Sequence, residues 1–212
     1  MRKSHRVVLS AATVLALTGV AVPASASVTL DQGHVDVVGI AWEDNAFNVH
    51  VHDEETDTEY APSAVQLVAK PGAKIAVPDD AAYSFLGTPG SAAWVLPQVQ
   101  DPELLWPGIG AEEIASGVFT NDALKVTLVG VSGPADFSIF TTDAFGTPTR
   151  LADSGNGLPD TISTTAGGHL HANWAFEAAG TYKLKFKVSG TLAATGQKVT
   201  SAIATYTFKV QA

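Results

Sequence analysis

Two pairs of histidines, each separated by one residue, are the residues best placed for chemistry: His50-Val51-His52 and His169-Leu170-His171. A fifth lies in Gly33-His34-Val35-Asp36. In an extended chain, residues two apart point to the same side, so each pair offers two imidazoles from one face at a spacing suited to chelation. Phase identifies the face. Phe47, Val49 and Val51 alternate with Asn48, His50 and His52, while Leu170, Ala172, Trp174 and Phe176 alternate with His169, His171 and Asn173. Val35 and Val37 likewise oppose His34 and Asp36. All five imidazoles fall on the side opposite the apolar one, so strands that are neighbours in one sheet would gather them into a patch.

Such a patch suits a first-row divalent metal, with Zn²⁺ the leading candidate. Neutral imidazole ligates it well, three or four nitrogens with a carboxylate or water complete its usual shell, and the chain has no cysteine to offer thiolate. The expected ligands are His34, His50, His52, His169 and His171, with Asp36 and Asn173 as auxiliary groups. These residue types leave Cu²⁺, Ni²⁺ and Mn²⁺ open. The competing reading is that the histidines are surface residues hydrogen-bonded within a sheet, with no ion.

The acidic run Asp53-Glu54-Glu55-Thr56-Asp57-Thr58-Glu59 reads first as a solvated hairpin loop; the functional alternatives are that it draws cations toward the histidines or holds Ca²⁺. It has the oxygens for Ca²⁺ but neither the EF-hand spacing nor its mid-loop glycine. Catalytic signatures are missing: there is no Gly-x-Ser-x-Gly elbow, no His-Glu-x-x-His helix and no phosphate-cradling glycine loop. A three-histidine metal with an open position could activate water, with Glu177 or Asp36 as base. No substrate pocket is legible, and enzymatic activity is not expected.

Strands must position these side chains. The clearest alternation is Thr181 to Val188, where Tyr182, Leu184, Phe186 and Val188 share one face and Lys183, Lys185 and Lys187 the other. Similar stretches are His34–Trp42, Phe47–His52, Val65–Ala69, Lys74–Val77, Leu124–Val131, Phe137–Thr141, His169–Phe176 and Ala202–Val210. Turn signals such as Asp44-Asn45, Pro71-Gly72, Gly133-Pro134 and Gly155-Asn156-Gly157 stand between them. Many short strands without a βαβ rhythm predict an all-β chain: an antiparallel immunoglobulin-like β-sandwich, with residues 27–212 as one domain. Residues 78–116, with five prolines from Pro78 to Pro107 and with Trp94, Leu104-Leu105 and Trp106, form a long insertion expected to fold back over the sandwich. The other reading of this segment is an ordinary pair of short strands with Pro-rich connections.

Arg2, Lys3 and Arg6 precede an apolar run from Val7 to Val22 that closes on Ala24-Ser25-Ala26, the order of a secretory signal peptide over residues 1–26. The run is too interrupted and too short for a permanent span, so no membrane span is expected after cleavage. This leader takes three basic residues and no acidic ones from a chain of net charge −9, leaving a still more acidic remainder. That sign disfavours a nucleic-acid partner, whose phosphates need clustered Lys and Arg. An exported chain without cysteine relies on its apolar core and not on disulfides.

Leu30-Asp31-Gln32-Gly33-His34-Val35-Asp36 and Gly168-His169-Leu170-His171-Ala172-Asn173-Trp174-Ala175-Phe176, followed by Ala179-Gly180-Thr181-Tyr182, resemble the actinobacterial surface-anchored protein family, also called choice-of-anchor M domain proteins. The resemblance covers most of the chain after residue 26, and the second motif is the more specific. It implies an exported cell-envelope β-domain handling a divalent metal beside a metal-type ABC transporter, with His34, Asp36, His169, His171, Asn173 and Trp174 at the matching positions. The family commonly ends in a sortase signal or membrane helix. This sequence ends at Lys209-Val210-Gln211-Ala212, from which release to the exterior is the expectation. Two functions follow. One is a secreted metal-binding protein that captures zinc, with transporter components or other envelope proteins as partners. The alternative is a structural or adhesive surface domain that presents Trp94 and Trp106 to a protein or glycan without metal.

Overall fold

A computed structural model describes residues 27–212. The expected signal peptide, residues 1–26, lies outside them. Period-two patterning becomes strand along most of the described chain. Its first strands are Val28–Leu30 (β1), Gly33–Glu43 (β2), Ala46–Asp53 (β3), Thr58–Tyr60 (β4), Val65–Ala69 (β5), Lys74–Ala76 (β6), Ala92–Leu96 (β7) and Leu105–Gly110 (β8). There follow Phe119–Ser132 (β9), Phe137–Thr142 (β10), Pro148–Asp153 (β11), Asp160–Thr165 (β12), His169–His171 (β13) and Asn173–Phe176 (β14). Gly180–Leu192 (β15), Lys198–Thr200 (β16) and Ala204–Val210 (β17) complete the series. Helical structure among the described residues is limited to short 3₁₀ turns, the longest at Ala81–Leu86.

These strands make three sheets. The first runs β1-β5-β17-β15-β9-β12 with β16 beside β15, the second β11-β10-β14-β7-β6, and the third β13-β8-β2-β3-β4. The protein is thus mostly β, as its patterning predicts. The sheets are mixed and not purely antiparallel: β5 runs parallel to both β1 and β17, and β8 runs parallel to β2. Parallel neighbours need a long connection, and the chain supplies one by building β5, β6 and β7 in the other sheets before returning as β8 beside β2. Residues 78–116 therefore carry two short strands joined by Pro-containing turns, and both β7 and β8 are interior strands of their sheets.

One core joins the three sheets. Val35 and Ile109 from the third, Leu96 and Trp174 from the second, and Phe186 and Tyr206 from the first belong to the same buried cluster. The alternation of β15 is realised as expected, with Tyr182, Leu184, Phe186 and Val188 fully buried and Lys183 and Lys185 exposed. The stretch His169–Phe176, expected as one strand, is two: β13 lies in the third sheet and β14 in the second, with the buried Ala172 at the passage between them.

Two local features set the register of the third sheet. Asp44 and Asn45 both take positive φ, 48° and 62°, the geometry of the two-residue turn that matches strand twist, and they pair Glu43 with Ala46. Farther along β2, the register slips against both neighbours between Asp36 and Gly39. Asp36 stands opposite His52 and Gly39 opposite His50, three residues of advance against two, which is a β-bulge. The bulge lets consecutive Val37 and Val38 both enter the core. It also returns Gly39 to the face that carries Asp36, since each glycine or carboxylate position of that face now opposes a histidine of β3.

Candidate metal centre

The third sheet brings the histidine segments together, though not by direct pairing of all three. β3 neighbours β2, but β13 is separated from β2 by β8. Contact across β8 depends on what β8 leaves out. Gly108 pairs with both Asp36 and His171, and Gly110 with both Gly39 and His169. Ile109 between them points to the core. A Cβ on Gly108 would stand 2.0 Å from Asp36 Oδ1 and 2.8 Å from His169 Nε2, and one on Gly110 would stand 2.0 Å from Asp36 Oδ2. The side chains of β2 and β13 therefore meet over a strip of bare backbone.

On that strip the Asp36 side chain is 3% exposed. Its Oδ1 lies 2.8 Å from His169 Nε2 and 3.5 Å from His34 Nε2, and the two Nε2 atoms are 3.2 Å apart. Oδ1 has no hydrogen-bond partner of good geometry there, although His169 Nε2 stands within ion-pair distance. Two imidazole nitrogens, within hydrogen-bond distance of each other, and a carboxylate oxygen thus converge on a common point. Tetrahedral ligands about 2.0–2.1 Å from one zinc stand about 3.3–3.4 Å apart, so the observed triangle is close to the face of such a shell.

His171 is the third imidazole, and among the described residues His34, His169 and His171 bring ligand atoms within 4.8 Å of one another. Its Nδ1 lies 3.0 Å from the Pro107 carbonyl. Donation of Nδ1–H to that oxygen fixes the tautomer and leaves Nε2 with a free lone pair. The ring stacks on Trp106 at 3.6 Å and 5°, and Trp106 is itself anchored by Nε1–H donation to the Gln98 carbonyl at 2.9 Å. On the other side His169 Nδ1 pairs with Glu112 Oε1, the carboxylate–histidine arrangement that orients a metal-binding ring.

The two rings are tuned in opposite directions. The adjacent Asp36 carboxylate raises His169 above its ordinary value, with burial opposing and Glu112 adding to the rise. Burial pushes His171 down to about 4, and the neighbouring His169 and His34 add to that effect. A histidine that stays neutral well below pH 6 keeps its lone pair available to a cation.

The five sequence-predicted ligands do not meet at one point. His34, His169 and His171 form one group with Asp36 alongside, whereas His50 belongs to another with Glu59 and Glu113. His52 is held by the hairpin that follows it, with Nδ1 2.9 Å from Glu54 and Nε2 3.2 Å from Asp57. The acidic run forms the β3–β4 hairpin, capped by Asp53, which accepts from Glu55 N–H and Thr56 Oγ1–H. Asn173 follows the switch of sheet: its Oδ1 accepts from Gln98 N–H and its Nδ2 donates to Thr142 Oγ1, both in or beside the second sheet. Physically, the division arises because β3 lies on the far side of β2 from β13.

Glu59, Glu112, Glu113 and the three glycines were not among the expected metal-site residues, and Trp106 was expected only as a partner contact in the reading without metal. Gly108-Ile109-Gly110 does carry a signal, a period-two strand whose outward positions have no side chain, one residue before Glu112-Glu113. No family model, curated protein or solved structure matches this chain.

Proposed function

We propose that the protein binds a divalent metal, Zn²⁺ in the first place, through His34, His169 and His171 with Asp36 as the carboxylate ligand. The observation that carries this reading is the triangle of His34 Nε2, His169 Nε2 and Asp36 Oδ1 at 3.2, 3.5 and 2.8 Å, with the buried oxygen unpartnered. A buried carboxylate oxygen without a well-aligned donor is costly, and a cation at the common point removes that cost. Three nitrogens and one oxygen are a shell that zinc accepts. Within it, Asp36 supplies negative charge, His171 a neutral nitrogen fixed by Pro107, and Glu112 the orientation of His169.

The wider proposal is that of an exported cell-envelope protein of the surface-anchored family, capturing metal outside the cytoplasm and passing it to a metal uptake transporter. The acidic residues around the site, Glu54, Glu55, Asp57, Glu59, Glu112 and Glu113, favour approach of cations. The adhesive alternative has less support. It needs Trp94 and Trp106 to face a partner, whereas Trp94 is 5% exposed in the core and Trp106 lies flat on His171.

The test is Zn²⁺ titration of the purified protein near neutral pH by calorimetry, with His169→Ala/His171→Ala as comparison. Tight binding that falls by at least about 100-fold in the variant supports the proposal. Absent binding, or equal affinity in the variant, refutes it.

A further inference from the structure

A second group of ligand atoms lies on the same face of the third sheet, on the other side of β2. We infer that His50, Glu59 and Glu113 form a separate divalent-cation site, so that the protein holds two ions and not one. His50 is 3% exposed, yet neither of its ring nitrogens has a hydrogen-bond partner. Both have carboxylates nearby: Glu113 Oε1 is 3.2 Å from Nε2, and Glu59 Oε2 is 3.8 Å from Nδ1. One ligand atom from each of the three residues lies within 4.8 Å of the other two.

An imidazole serving only the packing of a strand would turn a nitrogen to a carbonyl or hydroxyl, because an unpaired buried polar group costs about 1–3 kcal/mol. His50 does neither. Its place is prepared by Gly39, directly opposite in the register, where a Cβ would stand 2.5 Å from His50 Nε2. The bulge at Val37-Val38 is what aims Gly39, and not a bulky residue, at this ring. Glu59 comes from the neighbouring β4 and Glu113 from the chain leaving β8, so three separate segments contribute. A cleft of about 200 Å³ lies between the two groups, lined by Asp36, His50, His52, Glu54, Glu112 and Glu113. It opens the second group to solvent cations and links it to Asp36 of the first.

The donor set of one nitrogen and two carboxylates differs from the nitrogen-rich first group, but it remains within what zinc and its first-row neighbours accept. The first group does not need it. The second site stands on His50 and its glutamates alone.

Equilibrium dialysis against Zn²⁺ alone, with elemental analysis of the protein, separates the possibilities. Wild type is expected to hold about two ions per chain, and His169→Ala/His171→Ala about one. Glu59→Gln/Glu113→Gln, which alters two partly exposed side chains and leaves the buried ring in place, is expected to hold about one as well. His50→Ala should match it where its near-ultraviolet circular dichroism shows a native fold. One ion kept by His169→Ala/His171→Ala and lost on adding Glu59→Gln/Glu113→Gln supports the second site whatever becomes of the first. A single ion in wild type that disappears with His169 and His171 leaves the first site standing and overturns the second. So does undiminished stoichiometry in Glu59→Gln/Glu113→Gln.

Discussion

The Asp36 carboxylate lies over Gly108, so close that a methyl group on the glycine would sit 2.0 Å from Oδ1. Gly108→Ala must therefore push the carboxylate aside or shift β8. Overpacking of this kind costs about 1–3 kcal/mol. Denaturant unfolding should show that loss, and Zn²⁺ affinity should fall by about tenfold or more as the oxygen leaves the triangle. Unaltered stability and affinity would mean that Asp36 is not held where the bare backbone places it.

In the metal-free protein the site histidines should titrate far apart. His171, held down to about 4 by burial, stays neutral through mildly acid pH, while His169 titrates above its ordinary value. The stability consequences have opposite signs. Depression of His171 contributes stability that is present above about pH 6.5 and is lost as pH falls toward and through about 4. The raised His169 contributes stability that is full below about pH 6.5 and is lost as pH rises through its folded value. Side-chain NMR titration resolves the two rings. Asp36→Asn should bring His169 back toward about 6.5, because the Asp36 carboxylate is the largest cause of its rise.

Glu112 pairs with His169 Nδ1, and in the proposed site it orients that ring and does not ligate the ion. Glu112→Gln keeps shape and removes charge, and loss of such an outer partner lowers metal affinity by about 10–100-fold. Affinity equal to wild type would show that the partly exposed glutamate plays no part in orienting His169.

Trp106→Leu should uncover His171. The expected outcomes are a His171 titration that climbs from about 4 toward the ordinary range and a weaker Zn²⁺ site. A loss of about 2–4 kcal/mol in unfolding free energy is the cost of the missing aromatic packing. A His171 midpoint that stays near 4 would locate its depression elsewhere than in this stack.

Much was legible in the residue order. Alternation in Thr181–Val188 determined a half-buried strand because extended chains place successive side chains on opposite faces, and Asp44-Asn45 determined a tight hairpin because those residues tolerate positive φ. The same periodicity placed His34, Asp36, His169 and His171 on polar faces. What remained was which faces meet. Strand neighbours are chosen by global packing, so the insertion of β8 between β2 and β13, and of β2 between β13 and β3, separates His50 and His52 from His34, His169 and His171. Phase also changes inside β2: Val37-Val38 breaks the alternation, and only the pairing to both neighbours shows that the break is a bulge that turns Gly39 to His50. The sequence alone determined the ligand types and their spacing along each strand, since both follow from local backbone geometry. The tertiary structure decided which ligands share a point, because glycines on one strand and carboxylates on another become a site only when the sheet sets them side by side.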